Sequence, residues 1–497
     1  MSKILVCGLC PLPFENTRQS YGPGIRTWQI AHSLAAAGHS VELLAMRIDG
    51  TYGADDESLD REERDGVEIH RLLSSEFFDP SFMAERVAAA GAEIWVGATI
   101  YGSNALAIQS PRVPFWADQF GHVMAEAQAK AHLEGKNWPL AHFWNLLRPV
   151  LASADRLSVV SDRQRFAAIG ELGVAGRLSA ETCGYEFTSV MPCALLPQPA
   201  SAARPLLRGE EIPEGAFVAL WSGGYNVWSD VDTLFEALER AMAKAPSLHF
   251  LSTGGGIAGH DEETYARFEE AVAGSSFRER YHLQGWVRAE LVPGYQAAAD
   301  LGVLSEIPMY EGQLGSKNRI VQWMGGRLPV LYNRVGDLGD LLAERELGLT
   351  FAAGDAAAMA EQLLWCVDNR AALDAMADRA RDYTDRELSF TATTRELVRW
   401  AASPTLAPDA ELRRHVASPA DYGAAPAVGA VEEAGARDSR ASGPASRGAA
   451  ESNGSGGHGL AEPAGAPRHN GSAAEGGPAA PAARGVVGRA LRRIFSP

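Results

Sequence analysis

The chain has five cysteines in 497 residues, which excludes a disulfide-stapled secreted scaffold and makes a reducing cytoplasm the expected setting. It contains no apolar run near the ~18–20 residues that a membrane span needs. Net positive charge is also lacking. Lys+Arg 45 against Asp+Glu 62 leaves a formal charge of −17, which argues against a general nucleic-acid binder. The opening MSKILVCGLC reads as a first β-strand rather than a secretory signal. What is present is globular: 46% hydrophobic and 22% charged residues, in a length suited to two or three domains.

Large apolar residues are scarcest between Ser403 and Gly485. Of these 83 residues, 54 are Ala, Gly, Pro or Ser, and none is Ile, Phe, Trp, Met or Cys. Such a stretch cannot offset the entropy of ordering it, so a disordered tail is expected over 403–485. Beyond it, Val486, Val487, Ala490, Leu491, Ile494 and Phe495 share one half of a helical wheel, with Arg489, Arg492 and Arg493 on the other. That short basic amphipathic segment suits peripheral contact with anionic lipid at the inner face of a membrane. Docking on the protein itself, or a frayed end, is the alternative.

Before the tail, short apolar runs alternate twice over with Ala/Leu-rich helical stretches. The first train is Ile4–Cys7, Val41–Ala45, Ile94–Val96, Pro114–Ala117 and Leu157–Val160. The second is Phe217–Trp221, His249–Ser252, Tyr281–Leu283, Leu301–Leu304 and Pro329–Tyr332. Runs this short, with little polar alternation, are strands covered on both faces. The expected fold is α/β, with two tandem Rossmann-like doubly wound domains: 1–197, a linker over 198–215, 216–385, and a closing helix over 386–402. Ligands of such sheets bind at the carboxyl ends of the strands, here in the cleft between the two domains.

Several motifs have ordinary explanations. Gly254–Gly259 (GGGIAG) fits a dinucleotide cradle, but no acidic strand end follows at the required distance, which favours a flexible turn. Cys7 and Cys10 form C-x-x-C without a second pair, so a zinc site is not expected. Asp230 precedes a helix and reads as its N-cap. Two constellations point to chemistry. Gly22, Gly24 and Arg26 in YGPGIR precede a helix expected from Thr27, and glycines, a helix N-terminus and a bidentate-capable Arg suit a phosphate or carboxylate. Between Glu311 and Val330, Lys317 and Arg319 stand at a helix start where dipole and charge suit a diphosphate, and Glu311 can accept bonds from sugar or ribose hydroxyls.

GPGIR-helix-GHSVELL, Ser161-Asp-Arg-Gln-Arg, Trp221-Ser-Gly-Gly-Tyr-Asn-Val-Trp228, Gly285-Trp-Val, Arg319–Val330 and Glu346–Asp355 follow one another over residues 1–400. In this order they resemble the GT-B glycosyltransferases, most like the family 4 type of retaining nucleotide-sugar transferases. The resemblance implies a cytoplasmic hexosyltransferase of cell-surface glycan assembly. It would move a sugar from a nucleoside-diphosphate donor to a glycan or lipid-linked acceptor hydroxyl, with no metal or cofactor. The N-terminal domain would bind the acceptor and the C-terminal domain the donor. Gly22, Gly24 and Arg26 would face the donor phosphates; Gly223 and Gly224 would lie under the diphosphate, Gly254 and Gly255 beside the nucleotide. Glu311 matches the first carboxylate of the family's pair, which touches the transferred sugar. Gln322 stands where the second would hold ribose, and the usual Arg/Lys after the glycine pair are replaced near Asn226 and Asp230. Charge neutralisation then falls to Lys317, Arg319 and Arg26. Asp118 and His122 fall in the Asp-led catalytic segment, with Glu126 toward the acceptor. A sugar-nucleotide epimerase or a non-catalytic nucleotide- or glycan-binding relative is the alternative reading.

Overall fold

In a computed structural model, the structure describes residues 1–413 except 16, 18–20, 49, 53–59, 198–203 and 258–259. Each of the ten expected apolar runs forms a strand, because a parallel strand between two helical layers needs apolar side chains on both faces. The first sheet contains β1 (Lys3–Cys10), β2 (Ser40–Arg47), β3 (Arg61–Arg64), β4 (Val67–Leu72), β5 (Ile94–Gly97), β6 (Phe115–Gln119), β7 (Arg156–Val159) and β8 (Thr188–Val190). Their order is β3-β4-β2-β1-β5-β6-β7-β8, and the order reverses between β1 and β5. All pairings are parallel except that of β3 with β4.

The second sheet contains β9 (Phe217–Ser222), β10 (Leu248–Thr253), β11 (Tyr281–Leu283), β12 (Leu301–Leu304), β13 (Val330–Asn333) and β14 (Leu349–Phe351). It runs β11-β10-β9-β12-β13-β14 and is parallel throughout. Its order reverses between β9 and β12, and the ends of these two strands carry the loops that matter below. The cores are built around the sheets: Trp221, Phe217, Phe250 and Trp323 are fully buried in the C-terminal lobe, Phe115, Trp116 and Leu147 in the N-terminal lobe. The two are labelled donor lobe and acceptor lobe only after the roles the resemblance implies.

The strands β3, β4, β8 and β14 were not among the expected runs. β3 reads Arg-Glu-Glu-Arg and is mostly exposed, so it carries no apolar signal. β8 and β14 have three residues each. Two boundaries also differ from expectation. The helix anticipated from Thr27 spans Gly22–Ala36, since Pro23 sits in its first turn, where a missing N–H costs nothing. The first residues of the expected tail, 403–411, are ordered against the rest of the chain. Ala407 and Asp409 are buried, Ala407 N donates to Asp155 Oδ1 at 2.8 Å, and Arg177 Nη2 donates to Asp409 Oδ1 at 3.0 Å. A small residue in the core and an ion pair hold what composition alone marks as unfolded. The segment 486–495 lies outside the described residues.

The chain crosses between the lobes twice. It leaves the acceptor lobe through Pro192–Leu196 and returns after the donor-lobe helix Arg370–Glu387. Phe390, Leu397 and Trp400 then pack in the acceptor-lobe core with Trp28, Ile30 and Trp116. The crossings touch: Leu195 N donates to Leu388 O at 2.7 Å. No helix among the described residues is long and apolar enough to cross a membrane.

Candidate active site

The carboxyl edge of the donor sheet is floored by glycine. Gly223 and Gly254 adopt φ +94° and +123°, and a Cβ on Gly254 would lie 2.2 Å from Gly223 O, so only glycine allows the two loops to approach this closely. Gly255 continues the floor, its carbonyl accepting from Tyr225 N at 3.1 Å. Arg319 lies over it. Its Nη2 donates to Gly224 O at 2.8 Å, and its guanidinium carbon stands 5.1 Å from the Trp221 ring centroid. Nη1 is buried and finds no hydrogen-bond partner among the described residues; the same holds for Thr253 Oγ1 and Ser305 Oγ, at the ends of β10 and β12. Buried polar atoms are almost always paired. The hydroxyls are not peculiar to this edge, since Thr99 Oγ1 and Gln119 Nε2 at the other sheet's edge are also unpartnered among the described residues; the charged Arg319 nitrogen is what sets it apart. Burial also lowers the Arg319 pKa, against the opposing influence of Glu306.

Beside that floor, the loop after β12 gathers three charges. Lys317 Nζ lies 3.0 Å from Glu306 Oε1, 2.9 Å from Glu311 Oε2 and 3.1 Å from Glu311 Oε1. It also stands 5.4 Å over the Trp228 ring. Glu306 is fixed from behind. Tyr332 OH donates to its Oε2 at 2.6 Å, and its backbone exchanges two bonds with the Asn333 side-chain amide, at 3.0 and 2.6 Å. Burial pushes the Glu311 carboxyl up to about 7; Lys317 opposes the rise and Glu306 reinforces it. Glu311 therefore titrates near neutrality, where an ordinary carboxylate does not. The expected diphosphate partner Lys317 is already held between two carboxylates, which leaves Arg319 as the cation with an unpartnered donor.

Across the cleft, the helix Val123–Glu134 brings Glu126 within reach of the donor lobe. Lys130 Nζ lies 2.8 Å from its Oε1. Although burial raises its pKa, Lys130, His260 and Lys317 together pull it below the usual value. His260, on the donor-lobe loop after the glycines, is pushed down to about 4 by burial and Lys130 and so stays neutral. Glu126 in turn contributes to the rise at Glu311. His122 is turned elsewhere: it caps this helix, its Nδ1 accepting from Ala125 N at 3.1 Å, with Nε2 3.2 Å from Glu171 Oε1.

The remaining expected residues stand apart from this group. Arg26 and Asp118 are both fully buried. Arg26 Nε and Nη2 donate to the Asp118 carboxylate at 3.0 and 2.7 Å, and Ser158 Oγ and Thr99 N add bonds at 2.7 and 3.2 Å. Neither side chain has a free face toward the cleft. Gly24 is needed for packing, since a Cβ there would lie 1.8 Å from Pro11 O. Gly22 does meet the donor lobe, where a Cβ would come 2.8 Å from Asn318 Nδ2. Gln322, expected at ribose, instead binds backbone at the crossing: Nε2 donates to Ala194 O at 2.9 Å, and Oε1 accepts from Leu196 N at 3.1 Å.

Two family models match the chain. One, described as "Glycosyl transferase 4-like domain", matches residues 21–179; the other, "Glycosyl transferases group 1", matches 216–369. Together they take in more than half of the sequence and the whole edge just described. The chain is a GT-B glycosyltransferase. Solved structures share its fold. The sucrose-phosphate synthase of Thermosynechococcus elongatus aligns with TM-score 0.61 at 17% identity, over 81% of this chain and 98% of that one. HepE of Anabaena, solved with UDP and glucose, aligns with TM-score 0.58 at 16% identity, over 81% and 100%. WaaG, a glycosyltransferase involved in lipopolysaccharide biosynthesis, aligns with TM-score 0.56 at 16% identity, over 81% and 100%. A sequence search among curated proteins finds no match.

For this glycosyltransferase, motif reasoning missed Glu306, Lys130 and His260. Glu306 was within reach: it is an acidic residue just after a fully apolar strand, Leu301–Leu304, at the edge where sites of this fold lie. Lys130 follows Glu126 at helical spacing. His260 had no signal, because its loop only meets the acceptor lobe in three dimensions. Among the described residues no group of three or more His, Cys, Asp or Glu comes together to hold a metal ion.

Proposed function

We propose that the enzyme transfers a hexose-type sugar from a nucleoside-diphosphate sugar to an acceptor hydroxyl, with retention. The observation that carries this reading is the pairing of a glycine floor under Arg319 with the Glu311–Lys317–Glu306 cluster, with Glu126 near enough for the charge of Lys317 to act on it. The floor suits a diphosphate, with Arg319, the N-terminus of the helix Asn318–Gly325 and the loop amides offsetting its charge. Gly223, Gly224, Gly254 and Gly255 let backbone approach the nucleotide. Glu311 receives the hydroxyls of the transferred sugar, and Glu126 lies on the acceptor's side. In the transfer, the bond from C1 to the diphosphate oxygen breaks and the acceptor oxygen bonds to C1. The hydroxyl proton leaves with the diphosphate. The protein supplies position and charge stabilisation for an oxocarbenium-like transition state. HepE was solved with UDP-glucose and a trehalose-6-phosphate enzyme from E. coli with UDP-2-fluoro glucose, which makes a nucleotide sugar the first donor class to try. No resident metal is invoked. The proposed setting is the cytoplasm, on a glycan or lipid-linked acceptor of cell-surface assembly, with 486–495 as a weak membrane tether.

The test is thermal-shift screening of the protein against UDP, GDP, ADP and dTDP, since ligand bound to the native state raises apparent stability by mass action. The matching nucleotide sugar then releases free diphosphate only when acceptor is present. Turnover of the donor to an isomeric nucleotide sugar without acceptor defeats the transferase reading in favour of an epimerase. Co-sedimentation with anionic vesicles, lost on truncation after Gly485, tests the tether.

A further inference from the structure

Gln322 ties the helix after the Glu311–Lys317 loop to the crossing segment by two hydrogen bonds. It lies on the helix Asn318–Gly325, one turn beyond Arg319. Its amide grips both sides of the crossing segment, donating to Ala194 O at 2.9 Å and accepting from Leu196 N at 3.1 Å. Two residues earlier on that segment, Pro192 O accepts from Arg26 Nη1 at 3.0 Å and from Gln29 Nε2 at 3.5 Å. Gln29 Nε2 also donates to Thr393 Oγ1, on the returning segment, at 2.7 Å, and Arg26 Nη1 to Gln29 Oε1 at 3.0 Å. Between the two grips, the Leu195 side chain lies against Gly325, where an added Cβ would come 2.1 Å from Leu195 Cδ1. A glycine there lets the helix end press onto the crossing.

The bonds form one continuous path. It runs from Asp118 at the carboxyl edge of the acceptor sheet through Arg26 to Pro192, and along three residues of backbone to Gln322. From there it enters the helix whose first turn carries Arg319 and whose cap residue is Lys317. The end of the path at the first sheet is buried: Arg26 and Asp118 are fully buried, and Gln29 is 1% exposed.

We propose that Gln322 is a positioning residue, one that sets the diphosphate-facing helix against the acceptor lobe through the crossing segment rather than by touching nucleotide. Both ends of its amide are taken by backbone, and a carboxylate could not replace it. Oε1 of a Glu could still accept from Leu196 N, but the other oxygen would face the Ala194 carbonyl with no proton to share. A ribose ligand behaves oppositely, because a carboxylate accepts from both ribose hydroxyls.

Gln322→Leu and Gln322→Glu, each checked for native circular dichroism, separate the two. Hydrogen exchange of the Leu196 amide is expected to speed up about tenfold or more in Gln322→Leu, the scale set by one or two lost neutral hydrogen bonds. With UDP-glucose as donor probe, or whichever of the four diphosphate sugars the screen selects, kcat falls about tenfold in both variants. KM and the affinity for the free nucleoside stay within about twofold. Gln29→Leu acts from the opposite lobe and gives the same split. Unchanged Leu196 exchange in Gln322→Leu overturns the proposal. So does nucleoside affinity that collapses in Gln322→Leu and rises in Gln322→Glu, which would return the residue to ribose. The kinetic arm rests on the nucleoside-diphosphate reading; the exchange arm needs no ligand, so failure of one is distinguishable from failure of the other.

Discussion

Each lobe buries charge at the carboxyl edge of its parallel sheet, and the two burials differ in kind. In the acceptor lobe Arg26 and Asp118 meet fork to fork, and the carboxylate's remaining capacity is taken by Ser158 and the Thr99 amide. In the donor lobe one ammonium serves two carboxylates, a guanidinium nitrogen has no partner among the described residues, and one carboxyl titrates near neutrality. A completed network holds shape. An incomplete one, with charge left over and a displaced pKa, is where a ligand gains by binding. Arginine at a helix start is thus a poor guide by itself. What separates Arg26 from Arg319 is whether the structure has already satisfied it.

The largest effect that can break this contrast lies in the completed pair. Arg26→Ala leaves Asp118 buried without its partner and is expected to destabilise the fold by ~3–5 kcal/mol, read from the denaturant midpoint at pH 7. Nucleotide affinity of the folded fraction should stay within about twofold. A well-folded Arg26 variant that has lost diphosphate binding would erase the distinction between the lobes. Next in size is Arg319→Ala, expected to weaken nucleoside-diphosphate binding by ~1.5–3 kcal/mol and nucleoside binding far less. Titration calorimetry with the diphosphate and its nucleoside decides it. Equal losses for both ligands would move the guanidinium off the phosphates.

How much of this could be read in the sequence follows from the same contrast. Strands buried on both faces announce themselves, and so did the glycine floor, because Gly223 and Gly254 need backbone freedom that no other residue supplies. Residue type and order also named Glu311, Lys317 and Arg319. Partner choice was not legible. That Lys317 would be held by Glu306, Arg26 by Asp118 and Gln322 by Ala194 and Leu196 depends on strand ends and crossings brought together from 11 to 128 positions apart. Nor does composition report single anchors. Ala407 and Asp409 hold a segment that otherwise has the make-up of an unfolded chain.

A smaller effect sharpens the donor side. If Glu311 receives the sugar hydroxyls as proposed, it does so best as a carboxylate, and transfer should rise with pH as the group ionises near 7. Glu306 contributes to that raised pKa through its charge and competes for Lys317. Glu306→Gln removes the repulsion and leaves Lys317 to Glu311, and both changes favour the ionised form. The acid limb of kcat/KM is expected to move down by about one pH unit or less, a scale of ~1.4 kcal/mol. The stability consequence has a definite sign. A carboxyl that holds its proton to higher pH in the folded chain contributes stability at low pH that is lost as pH rises through about 7. An acid limb that stays in place, or moves upward, shows that Glu311 is not the titrating group.

The smallest expected effect concerns His122, because the two roles open to it differ most in size. As a general acid or base, its loss removes ~100-fold or more in rate. As a cap, it supplies one acceptor to Ala125 N and one contact to Glu171, and Asn does the first of these at least as well. His122→Asn keeps the cap and removes the imidazole. Stability is expected to change by no more than ~0.5 kcal/mol, the range for substitutions that preserve the local bond, and kcat with the selected donor by less than about twofold. His122→Ala removes the cap too and should lower stability by ~1 kcal/mol while leaving kcat equally unaffected. A fall in kcat common to both variants, with stability preserved in His122→Asn, would place the imidazole in the chemistry. It would also show that a side chain fully occupied at a helix start can still serve the cleft.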